Sequence, residues 1–325
     1  MTRMYDMGMR KTPNTAPVPI HADRPRSRLK ALHGMVRRAV CAILLACLLA
    51  PAASRADEHC VTQADGGRLC LDRPPERILS LAPHVTEMLF AVGAQARIAG
   101  VVAYSDFPPE ARALPNIGSY HALDLERVLT LRPDLVIAWA EGNAPAQLDR
   151  LRALGLPIWS TPGRRFADVP AVLRDLGRLT GNATQAETLA RDFEGEVQAL
   201  TEAHRTLPPL RGFYEIWPSP LVTVGPEHFI SEAMTRCGIA NLVDASLGDT
   251  PTWSEEAVIR ARPHLIITSP PARDFERWKR WKDLPAVQGD GLIVLPPDVL
   301  MRPGPRLVEG LRALCAAADA ARKTP

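Results

Sequence analysis

A short unit occurs twice in this sequence, at an offset of 130 residues. Its two copies are LERVLTLRPDLVIAW at 125–139 and EEAVIRARPHLIITS at 255–269. Each copy predicts a short helix that ends at an Arg-Pro pair, because proline lacks the amide donor and moves the preceding residue out of the helical region. The run of branched aliphatic residues that follows is typical of a parallel strand covered on both faces. We therefore expect two similar halves.

A glutamate lies near the start of each copy. Asp124 and Ser254 fit as the N-caps of the two helices. Glu126 and Glu256 then fall in the first turns, where a carboxylate interacts favourably with the helix dipole. Both glutamates therefore either stabilise a helix start or form a pair of matching charges at the tips of two lobes.

The beginning of the chain predicts an export signal. Met35-Val-Arg-Arg is a positive segment, residues 39–50 are an apolar run of signal-peptide length, and Ser54-Arg-Ala56 resembles a cleavage site. We expect residues 1–56 to be a targeting segment that is removed after Ala56. A start at Met35 and lipidation at Cys47 are the alternatives.

The composition of the chain is that of an ordinary globular protein. With 325 residues, of which 46% are hydrophobic and 23% charged, it is long enough for two domain-sized cores. Residues 1–56 hold ten of the 39 basic and two of the 36 acidic residues, which leaves 29 basic and 34 acidic residues and a net charge of −5. The basic residues are scattered among carboxylates, so no nucleic-acid-binding surface is predicted.

Four cysteines follow the export segment: Cys60, Cys70, Cys237 and Cys315. Four cysteines allow three pairings. Ala-Asp-Gly-Gly at 64–67 predicts a turn that brings Cys60 opposite Cys70, so we favour this disulfide and a second one between Cys237 and Cys315. A zinc site is the alternative, but the chain has no C-x-x-C or H-x-x-x-H spacing.

The remaining patterns divide the chain into two lobes and a linking helix. We expect a hairpin at 57–75, an α/β lobe at 76–182 and a second α/β lobe at 208–325. Residues 183–207 lack proline and carry apolar residues at three- and four-residue spacing, which predicts one long helix between the lobes. The predicted fold class is α/β, with a central, mainly parallel sheet in each lobe and a ligand cleft between the lobes. A single rigid helix would allow the lobes only slight movement.

Several segments in combination resemble a known family. They are ERILSLAPHVTEMLFAVGA at 76–94, AYSDFPPEA at 103–111, LDLERVLTLRPDLVIAW at 123–139 and SEEAVIRARPHLII at 254–267. Their order, with the long helix between the lobes, resembles the helical-backbone substrate-binding proteins of ABC importers, and within them the cobalamin-binding branch. The resemblance spans about residues 74–318. It implies a monomeric, non-enzymatic periplasmic protein that captures cobalamin or another corrinoid and passes it to the permease and ATPase subunits of an importer.

The resemblance also assigns residues to a ligand cleft. From the first lobe these are Tyr104, Tyr120 and Trp139, and from the second lobe Trp217, Trp253, Asp298, Val299, Leu300, Met301 and Arg302. Flat aromatic faces can cover a corrin disc, while their polar tips meet its amide fringe. Each aromatic could instead fill the core. Arg302 is expected to donate to ligand amides or phosphate.

The second-lobe half of this assignment departs from the family in two places. Trp217 is near the family's aromatic position but not at it, and Trp253 is placed differently from the family's tryptophan in that loop. Two further features agree with the family. Cys237 and Cys315 match its disulfide. Glu126 and Glu256 match the glutamates, one from each lobe, that dock onto arginines of the permease.

His84 supports a further hypothesis, since it follows a predicted strand end. Imidazole is a ligand for both cobalt and haem iron, so His84 could coordinate either metal. The alternative is a loop histidine that bonds backbone or ligand groups, and no separate metal site is predicted.

Two other functions stay open at this point. Haem or a ferric siderophore could be the ligand of a transporter of the same class, and a hydrolase or metal-inserting enzyme could use two such lobes. For the enzymes the sequence offers neither G-x-S-x-G nor G-x-x-x-x-G-K-[ST].

Overall fold

A computed structural model describes residues 59–119, 122–270, 272 and 274–323. The export segment predicted at 1–56 lies outside these residues, and so does Tyr120. No helix in the described part of the chain is long and apolar enough to span a bilayer. The fold is α/β with mainly parallel sheets, as the sequence predicts.

A small hairpin comes first. Strands β1 (Cys60–Thr62) and β2 (Arg68–Cys70) are antiparallel, and the predicted Cys60–Cys70 disulfide joins them. The hairpin lies along an edge of the first lobe, where Trp159 Nε1 donates to the Thr62 carbonyl at 3.0 Å and Ala64 N donates to Ser160 O at 2.9 Å. It therefore covers backbone groups that an edge strand would otherwise leave unpaired.

The first lobe is built on a four-stranded parallel sheet in the order β4-β3-β5-β6. Its strands are β3 (Ile78–Ser80), β4 (Ile98–Val101), β5 (Leu135–Trp139) and β6 (Ile158–Thr161). Its helices are α1 (Pro83–Ala91), α2 (Leu125–Thr130), α3 (Pro145–Ala153) and α4 (Asp168–Thr180). The two short 3₁₀ helices of the lobe are Gln95–Arg97 and Pro109–Ala113.

The linking helix α5 (Ala183–His204) begins three residues after α4 ends. Gly181, at a φ of 78°, makes the turn between them, a conformation that glycine adopts without steric cost. A Cβ on Gly177 would lie 2.3 Å from the Ala186 Cβ, so the absence of a side chain lets α4 and α5 pack closely. Ala186, Ala190, Phe193 and Val197 form the buried face of α5.

The second lobe contains strands β7 (Leu210–Pro218), β8 (Leu221–Thr223), β9 (Ile239–Asn241), β10 (Leu265–Thr268) and β11 (Leu292–Val294). Their order is β11-β10-β7-β8, with β9 beside the start of β7, and only β8 is antiparallel to its neighbour. The helices are α6 (Phe229–Arg236), α7 (Glu255–Ala261), α8 (Pro285–Gln288) and α9 (Leu307–Lys323), with 3₁₀ turns at Ala245–Leu247 and Phe275–Arg280. The predicted second disulfide joins Cys237, just after α6, to Cys315 within α9.

The two copies of the repeat have the same structure. The Asp124 side chain accepts from Arg127 N and the Ser254 side chain from Ala257 N, so both predicted N-caps are confirmed. The residue before each repeat proline, Arg132 or Arg262, has a positive φ of 45° or 46° and ends the helical segment.

The strands of the repeat are buried on both faces, as predicted. Leu135 and Ile137 of β5 enter the large central core, whereas Val136 between them enters a separate core on the outer face of the sheet. In β10, Ile267 enters the central core and Ile266 the outer core of the second lobe. Each lobe is therefore a sheet between two apolar layers.

Candidate functional site

Large apolar side chains are exposed where the parallel strands end. Tyr104 follows β4 and is 73% exposed, Trp217 near the end of β7 is 42% exposed, and Met301 in the loop before α9 is 36% exposed. The carboxyl ends of strands are where open α/β sheets bind ligands. Since exposed aromatic faces of this size bury a large area when they are covered, these residues define a candidate ligand-facing edge of both lobes.

The backbone is strained at two of the predicted cleft residues. Tyr104 and Asp298 have φ values of 66° and 64°, in the left-handed region that side chains usually avoid. Hydroxyl groups hold the first of these loops: Thr86 Oγ1 donates to Ser80 Oγ at 2.8 Å and lies 3.2 Å from Ser105 Oγ. Strain that is maintained in this way is typical of binding sites.

Trp139 and His84 pack against each other beside this edge. Their ring centroids are 5.1 Å apart in an edge-to-face arrangement. Asn143 fixes the Trp139 loop, because its Oδ1 accepts from Trp139 N at 2.8 Å and its Nδ2 donates to Leu81 O at 3.1 Å. Among the described residues, neither Trp139 Nε1 nor His84 Nε2 has a hydrogen-bond partner, although both atoms are buried. Buried polar atoms are usually satisfied, so these two nitrogens are exceptions that mark the region as a candidate site.

His84 is held in its neutral form by its surroundings. The side chain is 3% exposed. Burial, and then the positive charge of Arg302, lower the pKa of His84 from 6.5 to about 3. A neutral imidazole keeps one acceptor nitrogen, which is the form that metal coordination requires.

Acid should destabilise the folded protein through His84. Between pH 6.5 and about 3 the unfolded imidazole binds a proton that the folded one excludes, so stability falls as the pH falls through this window. We expect His84→Gln to reduce the difference in unfolding free energy between pH 7.5 and pH 5 by about 2 kcal/mol. Urea denaturation at the two pH values measures this difference, and an unchanged difference in the variant would contradict the assignment.

A buried ionic network joins the two lobes next to these rings. Arg302 and Arg306 come from the second lobe, and Glu87 of α1, only 4% exposed, comes from the first. Arg302 Nη1 donates to Glu87 Oε1 at 2.9 Å, and Arg306 donates to both Glu87 oxygens at 2.8 and 2.9 Å. The hydrogen bonds with Glu87 raise the pKa of Arg306, so this side chain keeps its positive charge.

Two further carboxylates contact Arg302. Asp106 Oδ1 lies 3.0 Å from its Nη1, and Asp298 Oδ2 lies 3.2 Å from its Nη2. A guanidinium has five N–H donors, so donors of Arg302 remain for a ligand. The Asp298 contact ties the strained loop of the second lobe to the same network.

A cavity of about 300 Å³ lies between the lobes on another side of Trp139. The first lobe contributes Trp139, Glu141, Gly163 and Arg164, and the second contributes Glu227, His228, Phe229, Asp249 and Thr250. Arg164 forms an ion pair with Asp249 across the cavity. Glu232 Oε2 accepts from Phe166 N at 3.0 Å, which adds a second bridge between the lobes at this end.

Titratable groups in the cavity have shifted pKa values. Burial lowers the pKa of His228 to about 4, and its Nδ1 accepts from Ile230 N as the N-cap of α6. Burial also raises the pKa of Glu141 above its ordinary value. In the part of the chain that the structure describes, no group of three His, Cys, Asp or Glu side chains could hold a metal ion.

Some predicted cleft residues lie elsewhere. Val299 and Leu300 are 6% and 0% exposed, because α9 packs against this segment at Gly310, where a Cβ would lie 2.6 Å from Val299 O. Trp253 is partly buried and packs on Phe213 in the outer core of the second lobe, with ring centroids 5.6 Å apart. In the segment 298–301, the side chains that reach the edge are therefore those of Asp298 and Met301, and not those of the buried Val299 and Leu300.

Several residues of this region were not predicted from the sequence. They are Glu87, Asp106, Glu141, Asn143, Arg164, Glu227, Asp249 and Arg306. For Glu87 a signal exists, because it is a lone carboxylate among the apolar residues of PHVTEMLFA, and a charge on a buried helix face requires a partner. No local sequence pattern predicts that its partners are Arg302 and Arg306.

Comparison with known proteins fits this geometry. Residues 78–299 match a family described as periplasmic binding protein. The chain belongs to this family. Among curated relatives, the vitamin B12-binding protein of Vibrio cholerae is 34% identical over 252 residues, which cover 77% of this chain and 91% of the relative. The vitamin B12-binding protein of Pectobacterium atrosepticum is 35% identical over 247 residues, 74% of this chain and 88% of the relative.

Solved structures of periplasmic binding proteins resemble this one along most of their length. The vitamin B12-binding protein of Vibrio cholerae superposes with a TM-score of 0.72 at 34% identity and covers 77% of this chain and 99% of its own. The haem-binding protein of Roseiflexus sp. RS-1 gives a TM-score of 0.67 at 27% identity and covers 76% of this chain and 99% of its own. The solved structures that resemble this one therefore include both a vitamin B12-binding protein and a haem-binding protein.

Proposed function

We propose that this protein is a monomeric periplasmic binding protein that captures cobalamin or a closely related corrinoid and delivers it to an ABC importer. The observation that carries the proposal is the 34% identity to the vitamin B12-binding protein of Vibrio cholerae over 99% of that solved chain. Since the family consists of binding proteins, the ligand is carried without being chemically altered. Cobalamin is thus the cargo of the protein and no catalytic cofactor is involved.

The ligand-facing edge suits a broad, partly apolar disc. The exposed side chains of Tyr104, Trp217 and Met301 offer apolar area from both lobes. Met301 is held against the core, because Tyr214 Oη lies 3.5 Å from its sulfur and 2.8 Å from Ser269 Oγ. Rigid aromatic faces bind such a disc at little conformational cost. Tyr120, outside the described residues, remains part of this proposal.

Polar groups at the same edge suit the amide fringe of a corrinoid. Trp139 Nε1 has no hydrogen-bond partner among the described residues, and Arg302 keeps donors beyond those used by its carboxylates. His84 lies behind Trp139 as a neutral imidazole, so we retain it as a group that bonds or coordinates the cargo. Asp298 holds Arg302 in place from the second lobe.

The charges of the cleft favour cobalamin over haem or a ferric siderophore. The cavity and the ionic network together present six carboxylates, Glu87, Asp106, Glu141, Glu227, Asp249 and Asp298, against three guanidinium groups, Arg164, Arg302 and Arg306. The carboxylate groups of haem, and the anionic groups of siderophores, would meet this negative potential. The neutral amides at the fringe of a corrinoid would not be repelled by this negative potential.

We also propose that Glu126 and Glu256 dock the protein on the permease. Both side chains are exposed, and among the described residues neither is in an ion pair. The neighbouring Glu255, by contrast, pairs with Arg277 and Arg280. A hydrogen bond with its own backbone N–H, and then one with Ser254, lower the pKa of Glu256, so its charge is available to a partner.

The two glutamates lie at the same edge as the cleft residues. A helix that leads into a parallel strand runs antiparallel to that strand, so α2 and α7 begin where β5 and β10 end. Docking through Glu126 and Glu256 would therefore turn the mouth of the cleft towards the importer. This placement suits delivery of the cargo.

Ligand titration tests the proposed function. Purified mature protein is titrated with cyanocobalamin, haemin and a ferric siderophore while its tryptophan fluorescence is recorded. We expect submicromolar quenching by cyanocobalamin and much weaker quenching by the other two. Submicromolar quenching by haemin alone would favour the haem alternative, and turnover of any ligand would contradict the role as a binding protein.

A further inference from the structure

Two carboxylates that line the cavity between the lobes have no cationic partner among the residues that the structure describes. Glu141 comes from the loop after β5 in the first lobe, and Glu227 comes from the loop before α6 in the second. Neither is in an ion pair with any residue that the structure describes. The cavity therefore carries acceptors on both walls.

Arg164, the one guanidinium that lines the cavity in the described part of the chain, does not offset these charges. Arg164 is paired with Asp249, so this pair is neutral, and the carboxyl groups of Glu141 and Glu227 are left without an opposite charge in the lining. An ionised carboxylate only accepts hydrogen bonds. A ligand group that enters the cavity is consequently favoured if it brings N–H donors and disfavoured if it brings negative charge.

We propose that Glu141 and Glu227 make the cleft selective for corrinoids whose peripheral side chains are amides over those that carry free carboxylates. The proposal rests on the proposed function and adds a rule for its substrate class. A primary amide offers N–H groups to the two glutamates, which line the cavity from different lobes. A carboxylate has no N–H group to offer and meets two like charges.

The size of the effect follows from the position of the charges. The cavity lies between two protein walls, where like charges a few ångströms apart repel more strongly than in bulk water. We expect at least a tenfold difference in affinity for a carboxylate that enters the cavity. The difference should shrink at high ionic strength, because salt screens groups that remain accessible to water.

The experiment compares cyanocobalamin with its monocarboxylic acids, which are made by hydrolysing single propionamide groups. Dissociation constants are measured at low ionic strength and at pH 8, an alkaline pH chosen because burial raises the pKa of Glu141. We expect at least one acid isomer to bind about tenfold more weakly than cyanocobalamin. In Glu141→Gln combined with Glu227→Gln, this ratio should fall below about threefold, because glutamine keeps the shape of the side chain without its charge.

A matched variant controls for net charge. Asp192→Asn combined with Glu202→Gln removes the same charge from the exposed surface of α5, and it should leave the tenfold ratio unchanged. The proposal is overturned if the unmodified protein binds every acid isomer as tightly as cyanocobalamin, or if the glutamine variant keeps the full ratio. Failure of cyanocobalamin itself to bind the unmodified protein would instead overturn the proposed function.

Discussion

Charge reversal at both Glu126 and Glu256 should abolish delivery of the corrinoid while its binding to the protein persists. The two carboxylates are exposed, stand at equivalent positions of the repeat, and lie at the edge where the cleft opens. If they bind cationic groups of the permease as proposed, replacing them by arginine converts two attractions into two repulsions. Juxtaposed like charges cost several kcal/mol, so we expect transport to fall about a hundredfold or more.

Transport is measured as uptake of labelled cyanocobalamin into proteoliposomes that contain the importer, with the affinity for cyanocobalamin measured in parallel. Glutamine at both positions should give an intermediate loss, since it removes the attraction without adding repulsion. Asp192→Arg combined with Glu202→Arg on α5 makes the same change in net charge away from the cleft and should transport normally. Normal transport by the Glu126→Arg, Glu256→Arg protein would show that the glutamates only stabilise the starts of their helices.

The features that could be predicted from the sequence are those set by local chemistry. The N-caps Asp124 and Ser254 and the ends of both helices before proline depend on residues a few positions apart. The alternation of Leu135, Val136 and Ile137 between two cores follows from the period of a strand. Local patterns of this kind also located the linking helix and the Cys60–Cys70 hairpin.

The features that could not be predicted are those that depend on how the two lobes face each other. Glu87 meets Arg302 and Arg306 more than 200 residues later in the chain, and Glu141 and Glu227 line the same cavity from different lobes. No sequence periodicity predicts such pairs, because the two members of each pair lie in different lobes. The burial of Leu300 could not be predicted either, since the run DVLMR does not show which of its side chains packs against α9.

The pairing of Glu87 with two arginines should make it one of the most sensitive positions for stability. In Glu87→Ala, the guanidinium groups of Arg302 and Arg306 lose their shared carboxylate, and their side chains are only 12% and 16% exposed. Breaking a buried ion pair from one side leaves an uncompensated charge, so we expect the free energy of unfolding to fall by about 3–5 kcal/mol. Denaturant unfolding at neutral pH measures the loss.

Glu194→Ala provides the matched control for this prediction. Glu194 also lies on a helix and binds an arginine, Arg174, at 2.7 Å, but their side chains are 46% and 33% exposed. Water and salt screen such a pair, so its loss should cost less than about 1 kcal/mol. Adding Arg306→Met to the Glu87→Ala protein should recover part of the stability, because an apolar side chain replaces one unpaired charge. Equal losses in Glu87→Ala and Glu194→Ala would show that the network between the lobes is no stronger than a surface ion pair.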